Sequence, residues 1–219
     1  MPGVIMPRAP GGASPRTFQL LQSVNASPAS ATHTYSAQNA GAADAARYLL
    51  AVLTADGNNN TSNATATIGG VSATRLVEAF SAVMHVAIFI ALVPTGTTAD
   101  VVASWGASKG RGTLTLYRSV DVGTITPVST NTATVANGTA AGGPTLTVTD
   151  GGCALFGALS NASGPGGTHT WSGATEDYEV ENTRTRSVAS VNNLSAGTIG
   201  VTCTRSATSG DMIVAGVSF

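Results

Sequence analysis

Residues 64–93 read ATATIGGVSATRLVEAFSAVMHVAIFIALV, and this stretch decides the fold. Ala and Thr alternate up to Ile68, the period of a strand with one face buried. Gly69-Gly70 then has the length and chemistry of a two-residue hairpin turn, in which both central positions need positive φ, so Ile68 should pair with Val71. The apolar run 83–93 is too short to cross a membrane as a helix, which takes about 20 residues. It is rich in β-branched residues and closes at Pro94, so it reads as a buried strand and implies no membrane partner.

Outward from this stretch the same texture continues. Short apolar or alternating runs separated by turn residues give candidate strands at 17–24, 31–36, 47–53, 64–68, 71–79, 83–93, 100–105, 112–120, 130–136, 145–149, 153–159, 169–172, 175–181, 184–191, 198–204 and 212–219. Residues 40–48 (AGAADAARY) are alanine-rich enough for one or two helical turns. Asp150-Gly151-Gly152 is expected to join 145–149 to 153–159 as a hairpin with a bulge. The fold class is therefore all-β: a single antiparallel, jelly-roll-like sandwich over residues 17–219. Residues 1–16 precede it as an extended arm, since four prolines and three glycines before Thr17 resist both helix and sheet. Those prolines also stand where the apolar core of a secretory signal would lie.

Composition narrows the function. Of the 219 residues 10% are charged, the net charge is -1 and hydrophobic residues make up 42%, which argues against a coiled coil and against disorder. Such a chain lacks the basic face that nucleic acid requires. Its cations are nine arginines and Lys109. Cys153 and Cys203 lack metal or redox spacing and read as free buried thiols.

The most charged segment, 176–181 (EDYEVE), alternates, placing Asp177, Glu179 and Glu181 on one strand face and Tyr178 and Val180 on the other. If Asn182-Thr183 is a two-residue turn, Glu181 faces Arg184 and Glu179 faces Arg186, a salt-bridged hairpin with each pair worth about 0.2–1 kcal/mol. A calcium ion gathered by these carboxylates is the rival reading, without a calcium-loop signature to support it. Residues 106–110 (GASKG) match GxSxG, the elbow that presents a nucleophilic serine, here Ser108. That elbow works at a strand-to-helix turn, and another strand is expected after Gly110. His85, inside the most apolar run, reads as a hydrogen-bonded core residue, while His33 and His169 sit on strand faces; no Ser/His/Asp set is fixed in space. P-loop, Rossmann, HExxH and zinc spacings are missing from the sequence, so no cofactor or metal is assigned. Trp105 and Trp171 can stack on a sugar ring or plug the end of a sandwich, and plugging is favoured by the area a tryptophan buries.

Three stretches, ATATIGGVSATRLVEA, HVAIFIALVPTGTTADVVASWGA and GTLTLYRSVDV, resemble β-sandwich proteins encoded by tailed bacteriophages of high-GC bacteria. In those, a strand ending in a Val-Pro-x-Gly turn leads into an alternating Val/Ala strand, as Val93-Pro94-Thr95-Gly96 leads into residues 100–105 here. The later THTWSGATEDYEVENTRTRSVAS is similar to their second half. The resemblance implies a non-enzymatic virion structural protein, foremost a capsid decoration or cement subunit, otherwise a head-fibre or tail component. Its partners would be copies of itself, a homo-oligomer such as a trimer, and the major capsid or tail protein. Val4, Ile5, Met6 and Pro7 of the arm would supply attachment by apolar contact and strand addition. A carbohydrate- or receptor-binding fibre module, with Trp105 or Trp171 as platform, is the alternative.

Overall fold

The computed structural model describes residues 16–26, 29–57, 63–120, 125–161, 167–181, 184–207 and 209–219. The arm residues Val4, Ile5, Met6 and Pro7 and the Asn182-Thr183 turn lie outside them. The first nine strands are β1 (Thr17–Ala26), β2 (Ser30–Asn39), β3 (Tyr48–Asp56), β4 (Thr65–Ile68), β5 (Val71–Ser72), β6 (Thr74–Ser81), β7 (Met84–Leu92), β8 (Thr98–Lys109) and β9 (Gly112–Val120). Ten follow: β10 (Ser129–Val135), β11 (Ala141–Gly142), β12 (Thr145–Val148), β13 (Gly152–Ser160), β14 (His169–Ser172), β15 (Thr175–Glu181), β16 (Thr185–Leu194), β17 (Gly197–Gly200), β18 (Thr202–Arg205) and β19 (Met212–Ser218). Every pairing among them is antiparallel, and the fold is all-β as the alternation indicates.

The strands form two five-stranded inner sheets and a thinner outer layer on each. The first inner sheet has the order β1-β9-β3-β7-β6 and the second β10-β19-β13-β16-β15. The first outer sheet is β2-β8-β4-β5, and the second outer layer consists of β11-β18-β14 and β12-β17. Side-chain parity dictates the stacking. Along β3, Leu49, Ala51 and Leu53 point to the first outer sheet and meet Ile68, Val101, Ala103 and Trp105. Leu50 and Val52 point the other way and meet Leu155, Val188 and Val217 of the second inner sheet. Beyond that sheet, Phe156, Ala158 and Val214 meet Leu146, Trp171, Val201 and Cys203. The chain thus folds as four layers, two sandwiches back to back where a single one was expected over 17–219, because the inner sheets are apolar on both faces. Burial on both faces is why β7 and β13 read as unbroken apolar runs.

Local chemistry sets the connections. Gly69 and Gly70 have φ of 60° and 78°, and Ile68 pairs with Val71 as expected. The chain then changes sheets: β5 stays with β4, while β6, one residue later, pairs with β7. Residues 40–47 form no helix. Arg47, only 1% exposed, instead donates to the carbonyls of Val93, Ala40, Gly41, Ala42, Gly96 and Thr95 at 2.6–3.1 Å, and this pins two loops together. A guanidinium satisfied by six carbonyls outweighs the modest helical preference of alanine. The expected hairpin at Asp150-Gly151-Gly152 is also corrected. The Gly152 N–H closes a turn on Thr149 O at 3.0 Å, but β12 pairs with β17 and β13 lies between β16 and β19. That turn therefore carries the chain from an outer layer into an inner sheet.

Contact between the inner sheets leaves no spare volume at Gly157, where a Cβ would lie 2.7 Å from Val52 Cγ1 and 2.9 Å from Val86 Cγ1. Valine is stiff about χ1, so neither methyl can swing away cheaply. Gly157→Ala should cost about 1–3 kcal/mol, read as a lower denaturant midpoint. An unchanged midpoint would mean that the two inner sheets do not meet there.

Candidate functional site

The residue types able to do chemistry gather in two buried clusters. The first lies at the β8–β9 end of the first sandwich. Trp105 Nε1 donates to His33 Nδ1 at 3.2 Å, and the Trp105 ring lies 5.0 Å from that of His85, centroid to centroid. His85 Nε2 in turn meets the Glu78 carboxylate, which also pairs with Arg75 at 2.5 Å and accepts the Ala64 N–H at 3.2 Å. Close by, Asp56 Oδ2 pairs with Arg186 at 2.8 Å and Asp56 Oδ1 accepts the Arg111 N–H at 2.6 Å. Burial holds the His33 ring below its ordinary pKa, and it pushes the Tyr35 phenol up.

The second cluster fills the second sandwich. His169, 4% exposed, stands between two hydroxyls, with Nδ1 2.7 Å from Ser187 Oγ and Nε2 3.0 Å from Ser160 Oγ. Ser187 also accepts from Trp171 Nε1 at 3.0 Å. Serine hydroxyls beside an imidazole have the reach of a nucleophile and its base. Desolvation nevertheless pushes His169 down to about 4, with Arg205 acting in the same direction, and the hydroxyls lie inside the packed layer. The cluster is a satisfied hydrogen-bond network that orients core side chains.

These positions bear on three readings of the sequence, and one of them, the charged hairpin, is corrected. Trp105 is fully buried and Trp171 is 9% exposed, so neither ring offers a stacking face to a sugar; both plug sandwiches. The salt-bridged hairpin does not form. Glu181 pairs with Thr185, Val180 with Arg186 and Glu179 with Ser187, one residue away from the expected register. Because the side-chain period is two, that slip sends Arg186 to the opposite face, where it meets Asp56. Arg184 donates instead to Val83 O, and Glu179 accepts the His169 N–H. A bulge between Glu176 and Tyr178 frees Asp177 to accept from Tyr117 Oη at 2.6 Å. Finally, β8 runs through Ser108 to Lys109 and β9 opens at Gly112, so no helix follows the GxSxG match. A nucleophile elbow is not built there.

Cys153 and Cys203 are free and buried; burial pushes the Cys153 thiol up to about 12 and raises that of Cys203. Among the described residues no three His, Cys, Asp or Glu side chains gather around a metal-sized space. The sequence reading missed the Asp56–Arg186 pair, whose partners lie 130 positions apart with no local pattern to link them. No family model, curated protein or solved structure matches the chain.

Two measurements check these clusters. Asp56→Asn leaves Arg186 buried without its carboxylate, and urea denaturation should show a loss of about 3–5 kcal/mol. For His169, the folded state refuses a proton that the unfolded chain takes up near pH 6.5. Its contribution is therefore whole above that pH and declines by roughly 3 kcal/mol as pH falls to about 4. Glu179 alongside works the other way, since burial raises its carboxyl. An NMR titration of the His169 ring should show a midpoint near 4; a midpoint of 6–7 would mean that solvent reaches it.

Proposed function

We propose that this chain is a non-enzymatic virion structural protein, foremost a decoration or cement subunit that docks on a capsid. The observation that carries the reading is how its polar groups are divided. Histidines, the buried arginines and the serine hydroxyls beside His169 are engaged inside the layers, while the outward faces carry Thr32, Thr34, Thr65, Thr145, Thr147, Thr170 and Thr198. A surface of short hydroxyl side chains on rigid sheets suits adhesion to neighbours, and a core built of long-range strand pairing suits persistence outside the cell.

The strand order supports a jelly-roll wiring: the last strand of the first sandwich, β9, lies beside β1, and β8 lies beside β2. β2 forms an edge of its sheet for ten residues. A groove of about 470 Å³ beside it is lined by Asn25, Ser30, His33, Tyr35 and Gln38. Edge strands of this length invite strand addition, and the arm residues Val4, Ile5, Met6 and Pro7 of a neighbouring copy are the proposed occupant.

Quantitative mass spectrometry of purified particles tests the proposal. The chain should occur in a copy number fixed by particle symmetry, and deleting residues 1–16 should strip it from the particle while the soluble protein still folds. Particles that never contain it, or that retain the truncated form in full, would overturn the reading.

A further inference from the structure

The two sandwiches have the same wiring. In each inner sheet the first strand of the half lies at one edge and the last strand beside it, followed by the strands equivalent to β3, β7 and β6: β1-β9-β3-β7-β6 answers to β10-β19-β13-β16-β15. Outside, β2-β8-β4 answers to β11-β18-β14, with β12 and β17 extending the β11–β18 pairing. The agreement reaches single residues. A bulge in β6 between Arg75 and Val77 recurs in β15 between Glu176 and Tyr178. The Asp56 N–H donates to Arg111 O at 3.1 Å, and the Asn161 N–H donates to Asp211 O at 2.8 Å. Glu78 accepts the N–H of Ala64 at the start of β4, and Glu179 accepts that of His169 at the start of β14. Arg111 and Asp211 are 100 positions apart, Glu78 and Glu179 101.

Contacts across the middle of the molecule are reciprocal. β6 packs against β10 and β19. Its counterpart β15 reaches β1 through Tyr178 and Asn25 at 3.0 Å and β9 through Asp177 and Tyr117. β1 and β9 are the counterparts of β10 and β19. Residue i touching j while j touches i is the mark of an isologous two-fold interface.

We infer that the chain is a tandem duplication of one sandwich, and that its five-stranded face is a self-association surface whose partner is a second copy of the same sandwich, here made permanent by the connecting segment. Two departures from symmetry set which halves pair. Gly157, where no Cβ fits against Val52 and Val86, has Val52 itself as its counterpart, so two first sandwiches would set Val52 against Val52. Asp56 and Arg186 meet at one of two equivalent places; the twin positions hold Asn161 and Val86. If two first sandwiches met, each Asp56 would face Val86 with no cation, and if two second sandwiches met, each Arg186 would face Asn161 with no carboxylate. Both mismatches bury an unpaired charge, so the ion pair selects first with second.

The full chain tests this once a protease site is placed in the connecting segment, residues 121–128, and cut after folding. Native mass spectrometry should find the fragments held as a 1:1 pair, with no dimers of one fragment alone. Cut Asp56→Asn/Arg186→Val protein, which carries the twin's neutral pair at both places, should relax this selectivity and yield dimers of the second fragment, in which Gly157 meets Gly157, on dilution and reassociation. Fragments that separate as monomers after the cut, or wild-type fragments that scramble freely, would overturn the inference. An uncut permutant starting at Ser129 and ending at Val120 provides a second readout. The Phe18 and Phe219 rings lie 5.6 Å apart, so with residues 1–15 removed a short linker joins Phe219 to Arg16, and the permutant should keep the native circular dichroism; loss of folding counts against two self-contained sandwiches.

Discussion

The mutual burial of two five-stranded sheets is the constraint on which the rest depends. An antiparallel sheet commonly keeps one face in water, and its sequence then alternates. Here Leu50, Val52, Ile88 and Ile90 on one sheet and Leu155, Val188 and Val217 on the other remove each other from water, at about 1.5–3 kcal/mol for each large side chain. Once those faces are joined, the opposite faces still carry Leu49, Leu53, Phe89, Phe156 and Val214 and must be covered as well. The outer layers follow from that need. They are thin, and the faces they turn to solvent carry hydroxyls.

Three polar pairs tie the two halves together. Asp56 is answered by Arg186, Tyr117 by Asp177 and Tyr178 by Asn25, and all three pairs bridge the two halves. An apolar interface can slide, whereas these pairs admit one arrangement. Arg47 does the same for loops, replacing a regular element with a guanidinium held by carbonyls. These side chains hold the shape of the molecule, and that use of them is what supports the proposed reading as a building block.

Much of this was legible in the sequence where the signal is local. Gly69-Gly70 announces its own turn, and the runs at β3, β7, β13 and β19 could hardly be anything but strands. The reading failed where a distant group decides. Nothing within residues 40–48 reveals that Arg47 will find the carbonyls of Val93, Thr95 and Gly96. A strand register one residue away from the expected one reversed the faces of the charged hairpin and hid the true partner of Arg186. A strand buried on one face by its own sandwich and on the other by a second gives the same apolar run as any core strand, so the number of layers was invisible. The repeat was hidden for a related reason, because counterpart positions exchange large for small: Ala51 opposite Phe89 becomes Phe156 opposite Ala189.

Native-state hydrogen exchange tests the central claim most directly. If the inner sheets seal each other, amides of β3, β7, β13 and β19 share the slowest rate and exchange together, through one global opening. Full protection of β3 and β7 alongside exchange of β13 and β19 faster by orders of magnitude would contradict it, since a sheet whose face opens on its own is not sealed by its neighbour.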